Sequence, residues 1–282
     1  MSDDAYGATV AKRRLARRLT ELRIQQGYTA NQVCDRLNWG RGKVGRFEAN
    51  TWVRPEMSDI RDLLRLYDVD TEVQQELEDL AVRARERPWW REYGDVFDNE
   101  FAGYESDATR INVYFPLVIP GLLQTPGYME AQMRINARSS SWRNRAVGAR
   151  LRRQEILSRE ENPPELVGLI TEASLLYTWG AIQDRRAQIA HLAEMSRLEN
   201  VQIRLLLFAA GPHPSMSSAI SIFEFPGDEP SLVFLESETA IQEVTKPDEL
   251  EIYTTTFERI NDIALNAEES TAYLDQLAET LE

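Results

Sequence analysis

The stretch LTELRIQQGYTANQVCDRLNWGRGKVGRFEANTWVRPEMSDIRDLLRLYDV, residues 19–69, decides how this chain reads. Leu15, Leu19 and Leu22 recur at helical spacing and predict a first helix from about Val10 to Gln26, ended by Gly27. Thr29 sits where an N-cap belongs, before a second helix whose apolar positions are Val33, Cys34 and Leu37. Asn38, Trp39 and Gly40 form a turn. A third helix follows from about Arg41 to Ala49, with Val44 and Phe47 pointing inward. Pro55 suits the first turn of a fourth helix, whose inner face is Ile60, Leu63, Leu64 and Tyr67. Residues 71–87 continue as a fifth, with Val73, Leu77, Leu80 and Ala84 in phase and Pro88 as its stop. Helices two and three together have the spacing of a helix-turn-helix, a motif that presents one helix to the DNA major groove.

On a wheel of 100° per residue, the side of helix three opposite Val44 and Phe47 falls on Gly42, Gly45 and Arg46, flanked by Arg41 and Lys43. That face is cationic and otherwise bare. Arg41, Lys43 and Arg46 are the candidate base readers, because guanidinium and ammonium groups donate to guanine O6 and N7. Thr29, Asn31, Gln32, Arg36 and Arg54 are the candidate phosphate contacts, helped by the amides at the start of helix two. Lys12, Arg13, Arg14, Arg17 and Arg18 lie mostly on the polar side of helix one, either touching the DNA backbone or forming a solvated face. Between Val10 and Arg54 there are 11 basic and 3 acidic side chains, a local +8 on a chain whose net charge is −14. A basic island on an acidic protein is an electrostatic footprint for phosphate.

The 282 residues suffice for two medium domains, and 43% hydrophobic content supports real cores. No apolar run reaches membrane-span length and the N-terminus is polar, so the expectation is a cytoplasmic protein with no membrane association. The single cysteine, Cys34, excludes an intrachain disulfide framework and reads as a small core residue. Two histidines, His191 and His213, suggest no metal site. No phosphate loop, nucleophile elbow or paired carboxylates stand out, which argues against an enzyme; no catalytic residue and no cofactor is expected.

The aromatic cluster Trp89, Trp90 and Tyr93 marks the expected joint between a domain of residues 1–87 and one of residues 88–282. In the second, residues 98–115 read as a helix leading into an extended Ile111–Phe115. Pro120-Gly121 and Pro126-Gly127 read as turns, Gly127 to Asn136 as a helix, 138–145 as a mobile loop and 147–159 as a charged helix. Segments 166–170, 201–208, 219–225 and 232–236 look like strands, with a helix at about 184–198 between the first two. Helices at about 247–264 and 267–281 close the chain. The close succession of the later strands predicts an α+β domain with a small, mostly antiparallel sheet and C-terminal helices, behind an all-α N-terminal domain of five helices. Residues 71–282 carry a net −17 and should repel DNA.

The 19–69 string resembles the xenobiotic-response-element regulators of repressor and Cro type. Arg46-Phe47-Glu48 matches that family's arginine, apolar, glutamate pattern. The glutamine the family often carries early in helix two is Ala30 here, and its recognition-helix serine and threonine positions are Gly40, Gly42, Lys43 and Gly45. The segments RPWWREYGD (87–95), RINVYFPLVIPGLLQTPGYMEA (110–131), RLRRQEILSRE (150–160), LENVQIRLLLFAAG (198–211) and AISIFEFPGD (219–228) resemble the antitoxin-like regulators of actinomycetes, which join a Cro-type head to a long C-terminal domain. PGLLQTPGY, residues 120–128, is the most specific piece. The resemblance implies a transcriptional regulator of development or secondary metabolism, with a small partner protein encoded nearby as antagonist. The reading is therefore a sequence-specific regulator of double-stranded DNA, a homodimer by half-site logic, whose C-terminal domain senses that small protein or a small-molecule effector. The alternative is an antitoxin-like interaction protein that neutralises a small partner, its base reading lost to glycine.

Overall fold

Leu15, Leu19 and Leu22 are buried along one side of α1 (Ala8–Gln25), and Gly27, at φ 70°, reverses the chain after it. In this computed structural model, which describes residues 6–52, 54–97, 99–134, 138–236 and 241–281, the chain divides into two units, Met1–Glu92 and Tyr93–Glu282.

In the first unit α2 (Ala30–Arg36) opens with a reciprocal capping box: Thr29 Oγ1 accepts from the Gln32 amide and Gln32 Oε1 accepts from the Thr29 amide. Asn38, at φ 53°, turns the chain. The third helix is shorter than expected. α3 is Lys43–Glu48, and Gly42 caps it in the left-handed region at φ 82°, so Arg41 and Gly42 precede the helix rather than lie on it. A side chain at 42 would have to bear that backbone, which is why glycine stands there. α4 (Met57–Leu66) starts beyond Pro55, and Asp70 caps α5 (Thr71–Arg83) through the Val73 amide at 2.9 Å. Val33, Cys34, Val44, Phe47, Ile60, Leu63, Leu64, Leu77 and Leu80 join the α1 leucines in one core. Trp90 is buried and its indole N–H lies 3.4 Å from Thr9 Oγ1 on α1.

The second unit overturns the expected sheet. Six strands, β1 (Arg110–Phe115), β2 (Glu165–Thr171), β3 (Val201–Leu206), β4 (Ala219–Glu224), β5 (Leu232–Glu236) and β6 (Ile241–Val244), form one mixed sheet in the order β3-β2-β1-β4-β5-β6. β1 pairs with β2 and β2 with β3 in parallel, whereas β4, β5 and β6 continue antiparallel. The sheet is neither small nor mostly antiparallel, and the reason is legible in chain length. Residues 116–164 and 172–200 each carry helices and are long enough for parallel crossovers; only the later connections are hairpin-short. β2 is buried from Leu166 through Thr171 on both faces, as parallel strands covered by helices are.

The first crossover holds α7 (Pro126–Arg134) and α8 (Ser140–Gln154), the second α9 (Glu172–Leu176) and α10 (Ile182–Met195). The expected mobile loop at 138–145 is instead the start of α8, from position 140. Ser139 caps it through the Trp142 amide at 3.2 Å, and Arg145 pairs with Asp95 at 2.7 Å, so the serine and arginine signal was that of a helix start with a charged face. β6 escaped notice because Ile241-Gln242-Glu243-Val244 has one buried residue, at an edge. The expected helix 98–115 is α6 (Phe101–Asp107), with β1 beginning at Arg110; positions 98, 135 and 136 of the expected helices lie outside the described residues. On one face of the sheet Tyr114, Leu169, Ile220, Ile222 and Val233 pack with Phe257, Ile260 and Ala264 of the segment containing α11 (Pro247–Ile263). Phe101 of α6 meets Phe223 and Phe234, each at 5.1 Å between ring centroids. The β3 edge is closed by the segment before α12 (Ala267–Thr280) and the helix itself: Leu205 N–H donates to Ser270 Oγ at 3.0 Å, and Leu205 C=O accepts from Leu265 N–H at 2.9 Å.

PGLLQTPGY is not a pair of turns. It is a buttressed loop followed by a helix, and its glycines stand at close approaches with ordinary backbone. A Cβ on Gly121 would lie 2.6 Å from Arg153 Nη2, and one on Gly127 2.9 Å from Asp184 Oδ1. Three glutamines satisfy the loop's backbone. Gln124 donates to Ile119 O (2.7 Å), Gln154 to Gly121 O (2.9 Å) and Gln124 O (2.8 Å), and Gln188 donates to Leu123 O (2.7 Å) while accepting from Thr125 N–H (2.7 Å).

Two stability tests follow from these contacts. Gln188→Leu leaves a buried carbonyl and an amide without partners, so the C-terminal unit is expected to lose about 2–3 kcal/mol, read as a lowered urea midpoint; an unshifted midpoint contradicts the buttress. In the first unit, Arg23 Nε and Nη2 hold Glu48 Oε1 and Oε2 at 2.5 and 3.0 Å. Glu48→Gln is expected to cost about 1.5–3 kcal/mol locally, seen as faster hydrogen exchange at the amides of 44–49; exchange equal to the parent protein's would show that the pair holds nothing.

Candidate nucleic-acid interface

α3 is fixed from three sides, and what those anchors leave outward is the candidate interface. Val44 and Phe47 enter the core. The Phe47 ring lies 5.6 Å from Trp52 and 6.4 Å from Trp39, and Trp52 Nε1 donates to Phe47 O at 3.1 Å. Glu48 accepts the bidentate bond from Arg23, whose Nη1 also donates to Tyr28 O at 2.6 Å. That hydrogen-bonded carboxylate raises the Arg23 pKa, fixing its charge. The pair therefore ties the end of α1 and the start of the α2 segment to the last turn of α3.

Arg41 and Arg46 are exposed beside α3, and neither makes a side-chain hydrogen bond or ion pair with a described residue. The Arg46 guanidinium folds toward the helix start, with Nη1 3.7 Å from where a Cβ on Gly42 would be. Lys43 is differently placed: its Nζ is 2.6 Å from Asp59 Oδ1 and 4.1 Å from the Trp39 ring centroid. Among the expected phosphate contacts, Arg54 and Asn31 are exposed and likewise without a side-chain partner among the described residues. Thr29 and Gln32 use their side chains in the capping box, and the Arg36 guanidinium lies 4.7 Å from the Tyr28 ring centroid. The structure thus leaves Arg41, Arg46 and Arg54 as open cations and holds Lys43 and Arg36 in intramolecular contacts.

The basic run of α1 is largely occupied as well. Lys12 is buried 5.4 Å from the Trp52 ring centroid, Arg14 pairs with Glu76 at 3.2 Å, and Arg17 and Arg18 both reach Glu21 at 2.9 Å. Gly45 is the opposite case. No heavy atom lies within 4 Å of a Cβ built there, so internal packing does not require glycine at this position, although glycine costs a helix about 1 kcal/mol relative to alanine.

Sequence spacing alone missed the Arg23–Glu48 and Lys43–Asp59 pairs. The Arg46-Phe47-Glu48 triplet was the available signal for the first; nothing local marks the second, whose partners are brought together by the turn between α3 and α4. The two histidines lie in the other unit. His213 Nε2 is 2.9 Å from Tyr114 Oη, and burial lowers the His191 pKa. Among the described residues no helix is long and apolar enough to cross a membrane.

Comparison with known families agrees with this division of the chain. Residues 14–86 match a helix-turn-helix domain, so the first unit carries a DNA-binding helix-turn-helix fold. Searches against curated proteins and against solved structures return no match. Residues 99–276, more than half of the chain, match a domain of unknown function, DUF5753. The chain belongs to the family defined by that C-terminal domain, here preceded by a helix-turn-helix.

Proposed function

We propose that this chain is a sequence-specific transcriptional regulator that acts in the cytoplasm by binding and not by catalysis. Its first unit engages double-stranded DNA as a homodimer on a near-palindromic operator, and its C-terminal unit senses a small partner protein or a metabolite. The observation that carries the reading is the set of open cations, Arg41, Arg46 and Arg54, around the bare face of α3 on a chain of net charge −14. An acidic protein that leaves cations unpaired at the exposed face of a helix-turn-helix has kept them for an external polyanion.

In this reading Arg41 and Arg46 meet base edges, while Arg54 and Asn31 meet phosphates. Lys43 reads a base only by exchanging Asp59 for it, so its first contribution is to hold α3 against α4. Gly45 keeps the helix surface free for close approach, which offsets its cost in helix propensity.

The supporting test is fluorescence anisotropy with a duplex from the gene's own upstream region, across a salt series. Arg46→Ala is expected to weaken binding by about 1–3 kcal/mol, one good bidentate contact. An unchanged affinity removes Arg46 from the reading set. Gly45→Ala separates folding from function: the first unit is expected to gain stability, up to about 1 kcal/mol, while duplex affinity falls at least about tenfold, equivalent to roughly 1.4 kcal/mol. Equal affinity in Gly45→Ala would show that no backbone approach occurs there. Binding only at low salt, with no preference over random duplex, would favour the interaction-protein alternative.

A further inference from the structure

Within the C-terminal unit a cavity of about 360 Å³ opens among β1, the PGLLQTPGY loop, α7 and α8. Its walls are mixed: Phe97, Phe101, Phe115, Met133 and Trp142 contribute rings and a thioether. Asn99, Gln124, Gln132, Arg150, Arg153 and, from the end of β5, Glu236 supply the polar groups. Aromatic side chains with converging polar groups, in a volume at the lower end of ligand sites, suit a small molecule with one polar end.

The two arginines differ in one respect. Arg153 has its own counter-ion: Nε is 2.5 Å from Glu105 Oε2, and the guanidinium lies 5.4 Å from the Phe101 ring centroid. The contact is close but poorly aligned for a hydrogen bond, so the attraction is chiefly between charges. Gly121 makes room for this arrangement. Arg150 has no carboxylate at ion-pair distance among the described residues; its side-chain bond is Nη1 to Gln124 Oε1 at 3.1 Å. Burial, with Arg153 next to it, lowers the Arg150 pKa to about 10, and Glu236, exposed on the rim, opposes that only in part. Burial pushes the Glu105 carboxyl up to about 7, while Arg153 beside it acts in the opposite direction, so Glu105 is committed to Arg153. A largely buried guanidinium with one side-chain hydrogen bond among the described residues, facing a cavity, is a costly arrangement for a cation unless an anion completes it.

We infer that this cavity binds a small organic monoanion, with its carboxylate paired to Arg150 and its apolar body among Phe97, Phe101, Phe115 and Trp142. A carboxylate fits better than a phosphate, because Arg150 and two amides line the cavity together with Glu236, which opposes a second negative charge. The inference rests on reading the C-terminal unit as the sensing half of the protein, and it specifies the ligand class. Direct binding tests it without DNA, so its failure and a failure of duplex binding are distinguishable.

The experiment is isothermal titration of the full chain with 2-naphthoate and, in parallel, with neutral 2-naphthamide. One naphthoate is expected per chain, with the amide at least about tenfold weaker for want of the charge-assisted bond. Arg150→Gln is expected to bring the two probes within about twofold of each other. Gln132→Trp, which fills the cavity and leaves Arg150 in place, is expected to abolish binding of both. Absence of naphthoate binding to the parent protein at millimolar concentration, equal affinity for acid and amide, or an acid preference that survives Arg150→Gln would each overturn the inference. The parent protein's discrimination between the two probes stands as a test even if a variant fails to fold.

Discussion

The bidentate bond from Arg23 to Glu48 is the constraint on which the first unit depends. α3 has only six residues, too few to persist alone, because a helix that short cannot repay its nucleation. Val44 and Phe47 give it a hydrophobic seat, but two side chains on one short helix leave rotation about its axis weakly determined. Glu48, gripped by a guanidinium that also holds the Tyr28 carbonyl, fixes that rotation from the helix end. Lys43 and Asp59 pin the other end. With both ends fixed, the positions left facing outward are Gly45 and Arg46, with Arg41 just ahead of the helix.

This arrangement sorts the basic residues into two populations. Lys12, Arg14, Arg17, Arg18, Arg23 and Lys43 are committed to carboxylates or rings of their own unit, where they hold helices together. Arg41, Arg46 and Arg54 are left open. Local charge alone, a surplus of eight, overstates the DNA-facing contribution, because Arg14 and Lys43 are paired with Glu76 and Asp59 from outside that stretch and other cations are turned to partners within it. The useful quantity is the number of open cations on one face, because only those release counterions from a duplex. The C-terminal unit repeats the pattern in miniature, with Arg153 paired and Arg150 left to a cavity.

What the sequence made legible follows from the range of each interaction. The capping of α2 by Thr29, the Gly27 stop and the apolar seat of α3 are encoded within a few residues and read directly. So were the two closing helices, α11 starting at Pro247 and α12 at Ala267. The direction of β1 and β2 was not, because strand order is set by where long crossovers return, and the hairpin-like spacing of β4 and β5 dominated the pattern. The start of α3 was misplaced because Gly42 reads as an ordinary helix position until its left-handed backbone is seen. The partners of Lys43 and Arg150 were invisible for the same reason as strand order: they are supplied by residues distant in sequence.

The proposed duplex-binding surface is the outward face of α3 with Gly45 and Arg46, together with the exposed Arg41 before it and Arg54 after it. The most direct measurement is the change in backbone amide resonances of the full chain on titration with the upstream duplex. The largest changes are expected at residues 40–46 and at Arg54, with residues 99–276 little affected. Changes concentrated in the C-terminal unit, with residues 40–46 unperturbed at saturation, would contradict it.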